Sequence, residues 1–302
     1  MDTLKLFLWE ALSLAVKVLP YFALGVLLAG VLDVYGKGGA YRLRLRAGGM
    51  GSIVLATLAG AVVPSCSCGI VPLVTALIAG GVPLAPAVAF LVAGPSMNPA
   101  VLSMTAGVLG IEIAAARFVC TLALSLGAGT LVMAMLRRGW IRLERDLRPV
   151  ERICPCAWKA ASETRGMARV ALAWLRGGEI FVGLARYLVL GVALGAAIAT
   201  LAGPQLVARY LTGPAAVPIA ALAGVPLYVC TCAEIPITVP LMAQGMSPAA
   251  VVTFLLAGPG VSAFSFVLLA SLFRARLLIM YAGMFLAGSM VLGFLAGLFL
   301  GG

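Results

Sequence analysis

The stretch PSCSCGIVPLVTALIAGGVPLAPAVAFLVAGPSMNPA, Pro64 to Ala100, is two apolar runs flanked by a Pro/Cys-rich segment and a Gly-Pro segment. Slid along the chain by 164 residues, it meets a second copy of itself. Cys66-Ser67-Cys68 falls on Cys230-Thr231-Cys232, Pro72 on Pro236 and Gly81 on Gly245. Phe90-Leu91 falls on Phe254-Leu255, and Ala93-Gly94-Pro95 on Ala257-Gly258-Pro259. Between 66 and 95, 13 of 30 positions are identical without a gap, where the few residue types a bilayer permits give roughly 3 by chance. The chain is therefore an internal repeat.

Composition places that repeat in a membrane. Of 302 residues, 63% are hydrophobic and 10% charged, against about 25% charged in a soluble domain. Mean hydropathy is +1.14. Too few polar groups exist to cover a water-facing surface, so the fold class is an all-α polytopic membrane protein. A soluble enzyme, a nucleic-acid module and a disordered chain are excluded. Apolar stretches run at 5–32, 51–80, 82–110, 112–136, 180–202, 214–244, 247–271 and 277–300. The first is interrupted by Lys5, Glu10 and Lys17, so it reads as a retained helix kinked at Pro20, not a cleaved signal. There is no histidine, which removes the commonest zinc ligand, and no Gly-rich loop ending in Lys-Ser/Thr for ATP hydrolysis. No cofactor and no enzymatic activity are expected.

Charge then sets the topology. Ten of the 21 basic residues lie between Arg137 and Arg176, which marks that segment as cytoplasmic and explains the net charge of +11 without nucleic acid. The expected organisation is a first repeat at 1–136, a basic linker at 137–179 and a second repeat at 180–302. Segment 34–50, with Lys37, Arg42, Arg44 and Arg46, reads as inside, while its counterpart 203–213 holds only Arg209. Arg274 and Arg276 read as inside, while their counterparts at Gly110 to Glu112 carry no positive charge. Equivalent points on opposite sides predict an inverted repeat. Each half is then three spanning helices plus a re-entrant helical hairpin, with both termini outside, in the cell (inner) membrane.

Two breaks are predicted in each half. Pro64 to Pro72 is not expected to be regular helix, because Pro72 lacks an N–H and crowds the Cys68 carbonyl. Val225 to Pro236 repeats it, and Gly94-Pro95-Ser96-Met97-Asn98-Pro99 matches Gly258-Pro259-Gly260-Val261-Ser262. Paired breaks at equivalent places mark a transporter site. In extended chain, residues i and i+2 share a side. Cys66 and Cys68 thus converge, as do Cys230 and Cys232, and pseudo-symmetry brings four thiols toward one midplane point, a soft site. Cys154-Pro155-Cys156, in the basic linker, is a further candidate pair for capturing a soft ion. Cys120 reads as a small buried hydrophobe. Glu234, two residues after Cys232, is a functional candidate as an intramembrane acid, and its counterpart is Ile70. Ser96 and Asn98 are candidates for binding substrate or for capping a half-helix that starts near Pro99. Arg117 and Arg186 are read either as neutralising acids or serving an anion, or as snorkelling to the interface.

The run Pro64 to Leu73, followed by Gly81, Pro83, Ala89-Phe90-Leu91 and Gly94 to Pro99, resembles the YraQ-type permeases. Cys230 to Pro259 is similar to that family's second signature. The family includes the ArsP permeases, which export trivalent organoarsenicals, and relatives proposed to export copper or zinc. The resemblance implies an efflux permease for a thiophilic substrate, with the paired cysteines as candidate ligands. Its partners are the lipid bilayer and that substrate, with a homo-oligomer as a further expectation. Two alternatives stand beside it: a transporter of a small sulfur-containing anion such as thiosulfate, and a membrane thiol–disulfide redox protein.

Overall fold

A computed structural model describes residues 45, 48–63, 67–141, 216–224, 234–243 and 245–300, and its regular elements are α-helices. The first half supplies α1 (Met50–Val62), α2 (Ser67–Ala79), α3 (Leu84–Met97), α4 (Pro99–Leu109) and α5 (Ile111–Arg137). The second supplies α6 (Ala216–Gly224), α7 (Glu234–Ala243), α8 (Pro248–Val261), α9 (Ala263–Leu269) and α10 (Ala275–Leu300). The 164-residue offset carries each helix of the first half onto one of the second. Leu84 and Met97, the ends of α3, fall on Pro248 and Val261, the ends of α8, and the first residue of α5 falls on that of α10.

The turns repeat as well. Between α2 and α3 the Gly81 N–H donates to the Ile78 carbonyl (2.9 Å) and the Val82 N–H to that of Leu77 (3.0 Å). Between α7 and α8, Gly245 donates to Met242 (2.9 Å) and Met246 to Leu241 (3.1 Å). This is the paired-bond helix stop that needs a left-handed residue, and Gly81 and Gly245 supply it with φ of 81° and 94°.

Four helical stretches are long and apolar enough to cross a bilayer: Leu84–Leu109, Ile111–Arg137, Pro248–Leu269 and Ala275–Phe299. Helices α1 and α2 have 13 residues each, about 20 Å of rise, and stop short of a hydrocarbon core of about 30 Å. Burial is arranged for an apolar solvent. Ile111, Val119, Ile279, Phe294 and Phe299 are exposed, while Thr57, Arg117, Ser125, Glu234 and Ser289 are buried. The buried hydroxyls find partners inside, as a bilayer requires. Ser125 donates to the Ala89 carbonyl (2.8 Å) and meets Thr57 at 2.8 Å, which ties α1, α3 and α5 together.

Small residues let the helices approach. A Cβ on Gly60 would lie 3.0 Å from the Phe90 carbonyl oxygen and 3.2 Å from the Gly94 nitrogen, and one on Gly224, its counterpart, 3.2 Å from the Gly258 nitrogen. Thus α1 crosses α3 as α6 crosses α8. Between the halves the packing is reciprocal: α7 lies on α4, and α2 lies on α9. Helices α5 and α10 pack antiparallel. Leu124 faces Gly288, its own counterpart, while Cys120, one turn earlier, reaches the carbonyl of Leu292, one turn later (3.7 Å).

Several expected breaks move. Ser67 to Ala79 is helical with Pro72 inside, so the first break is narrower than Pro64 to Pro72. Cys68 therefore sits in the first turn of α2 and not in extended chain. Gly94, Pro95 and Ser96 continue α3, and the true break is the single residue Asn98. Likewise Gly258, Pro259 and Gly260 continue α8 up to Ser262. Each internal proline removes one backbone bond, a loss a helix tolerates when packed neighbours enclose it. The Cys66, Cys230, Cys232, Cys154 and Cys156 positions, Arg186, the first apolar stretch and the basic linker lie outside the described residues, apart from the linker's first five residues.

Candidate functional site at the broken helices

Each broken helix is rebuilt by its own polar residue. Asn98 is extended (φ −61°, ψ 141°), and its Oδ1 accepts from the N–H groups of Ala100 (2.8 Å) and Val101 (3.1 Å). It satisfies two of the orphan donors that open α4, with Pro99 at the first position where no N–H is missed. Ser262, its counterpart, does the same for α9, accepting from the Ser265 N–H at 3.3 Å. The carbonyls left at the end of α8 are also met. Ser265 donates to Pro259 (3.4 Å) and Tyr281 to Gly260 (3.4 Å). The capping expected of Asn98 is thus present. Ser96 is buried two residues before it, in the last turn of α3.

Beside these breaks lies a charge pair that joins the halves. Arg117, on α5, and Glu234, the first residue of α7, approach to 3.8 Å with side chains 0% and 1% exposed. Arg117 does not snorkel. Its Nη1 donates to the Thr105 hydroxyl on α4 (3.2 Å), which itself donates to the Val101 carbonyl (2.7 Å). Backbone carbonyls at both ends of the pair are held one turn on, that of Arg117 by Thr121 and that of Glu234 by Thr238, each at 2.7 Å. Neither carboxylate oxygen of Glu234 accepts a hydrogen bond among the described residues. The carboxylate rests on the backbone of α8, where a Cβ on Gly258 would collide with its Oε1. Gly258 is therefore pinched between Glu234 and Gly224.

Thr105 and Tyr281 escape a reading of the sequence alone, and Gly258 is read there only as part of a break. Arg117 and Glu234 were each legible as candidates, since charges are few in the apolar stretches and a buried charge needs a partner, but which two meet comes from the fold. Cys120 is buried and bonded weakly to α10, as a packing residue should be.

A family model described as a predicted permease, ArsP_1, matches residues 4–298. The chain belongs to this predicted-permease family. The permease is 27% identical over 276 residues to a Streptococcus mutans protein named a two-component membrane permease complex subunit, covering 90% of this chain and 88% of that one. It is 30% identical over 235 residues to the UPF0718 protein YraQ of Escherichia coli, covering 78% and 64%. It is 23% identical over 301 residues to the UPF0718 protein MJ0584 of Methanocaldococcus jannaschii, covering 82% of each. No solved structure matches it. The permease is a multi-pass membrane protein, in keeping with its apolar helices.

Proposed function

We propose that this permease is a secondary efflux transporter, built as an inverted repeat, for a thiophilic substrate: a trivalent organoarsenical or a soft metal ion. Its substrate-binding residues in this reading are Cys66, Cys68, Cys230 and Cys232 together with Ser96, Asn98 and Glu234, with Cys154/Cys156 as a capture pair on the cytoplasmic side. The observation that carries the reading is the reciprocal packing of α2 on α9 and α7 on α4. In the sequence, the two Cys-x-Cys segments lead into α2 and α7, the two short helices that the 164-residue repeat makes equivalent.

The antiparallel passage of α5 and α10 supports inversion. Two equivalent membrane-crossing helices related in this way need an axis in the membrane plane. Alternating access then exchanges the conformations of the halves around the site. Arg117 directs its charge at Glu234, which favours a soft or neutral substrate over an anion held by that arginine. Efflux from everted vesicles tests the reading. Cys66→Ala and Cys230→Ala, expressed to wild-type level, are expected to lose transport of phenylarsenite and host resistance to it. Undiminished transport by both would overturn the assignment.

A further inference from the structure

The repeat puts a different residue pair at each of two equivalent interfaces. Glu234 corresponds to Ile70, and Arg117 to Tyr281. Glu234 opens α7, which packs on α4; Ile70 lies in α2, which packs on α9. Arg117 and Glu234 form a buried ion pair. Ile70 and Tyr281 belong instead to one buried apolar cluster. In an inverted repeat, equivalent interfaces lie on opposite sides of the membrane and open in turn; both are packed in this structure. Here one is held by charge and the other by apolar contact.

We propose that the Arg117–Glu234 pair is the latch of one gate of the permease, parting each time the halves exchange conformation, while the interface of α2 with α9 closes the opposite side without charge. This rests on the inverted-repeat reading above. Three features fit a latch better than a fixed strut. The contact is Coulombic and not a directional fork, since Glu234 accepts no hydrogen bond among the described residues. Its carboxylate lies on bare backbone at Gly258, with no side chain there to hold it. Arg117 is bonded to Thr105 on α4 of its own half, whereas Glu234 opens α7 of the other. The helices packed on α7, namely α4 and α8, carry no charged residue, so Arg117 alone supplies opposite charge from the described neighbours of Glu234.

Hydrogen exchange on the purified full-length permease in detergent tests this. The double variant R117Y/E234I copies the other half's residues into the latch. Exchange in α4 and α7 is expected to rise at least fivefold, with α2 and α9 unchanged or slower. R117K, which keeps the charge, is expected to stay close to wild type. If R117Y/E234I does not fold, R117Q/E234Q carries the same expectation. Unchanged exchange in α4 and α7, or an equal rise in α2 and α9, overturns the latch. Oxidative cross-linking separates this from failure of the inverted repeat. Cys120 joined to L292C, with exchange unchanged, leaves the inversion standing and removes the latch; Cys120 joined to M284C removes both.

Discussion

Arg117 and Glu234 come from different halves of the chain, 117 residues apart in sequence, and meet at 3.8 Å with neither side chain reaching the surface. Removing Arg117 takes the opposite charge from the buried Glu234 carboxylate, whereas removing both leaves no charge there. Breaking a buried pair costs about 3–5 kcal/mol, while replacing both members is often close to neutral. R117Q should lower stability by that order, E234Q should also be destabilising, and R117Q/E234Q should recover most of the R117Q loss. Thermal unfolding in detergent, run as a double-mutant cycle, checks the coupling. Additive losses would mean the two charges do not see each other.

Gly258 is the floor beneath the Glu234 carboxylate, and a methyl group there collides with Oε1. G258A is expected to cost about 1–3 kcal/mol through overpacking. The cost should shrink in an E234A background, where the colliding atom is gone. Gly107 and Gly127 have open space where a Cβ would go. G107A and G127A should therefore be neutral or stabilising, by up to about 1 kcal/mol, in the same unfolding measurement.

Asn98 satisfies two N–H groups at the start of α4. N98A is expected to cost about 1 kcal/mol, within a range of roughly 0.5–2, and N98S or N98D less. Transport assays on these variants separate the two roles suggested for this residue. If it only caps, transport in N98S and N98D follows stability. If its amide also contacts substrate, transport is lost where the cap survives.

The antiparallel passage of α5 and α10 predicts a specific cross-link. Cys120 touches the Leu292 backbone and not residue 284, its own counterpart. L292C should join Cys120 under mild oxidation, and M284C should not. A cross-link to 284 would mean that the two helices run parallel.

The helical class and the periodicity were legible in the sequence because both are written in many residues at once. The offset that aligns Cys66 with Cys230 and Gly94 with Gly258 also aligns the helix ends seen in the structure. The breaks were legible only as regions. Pro72 and Pro95 were read as ending helices, yet packing carries the helices through them. The residue that does interrupt the chain is Asn98, because its side chain replaces the backbone bonds the break removes. The Arg117–Glu234 pair was legible as two candidates but not as a pair, since periodicity places a residue on a face without saying which distant helix that face meets. Thr105 gave no signal beyond ordinary membrane-helix composition, and Gly258 was legible only as part of the repeat and its expected break; their roles come from contacts across the fold.

The most direct test of a thiophilic permease is binding to the purified protein in detergent. Phenylarsenite and Cu(I) are titrated separately against wild type and a variant with Cys66, Cys68, Cys230 and Cys232 changed to Ser. Stoichiometric binding of at least one of them by wild type, lost in the variant, is expected. Equal binding by both proteins, or binding of neither probe by wild type, would contradict a core thiol site and make the paired cysteines packing residues.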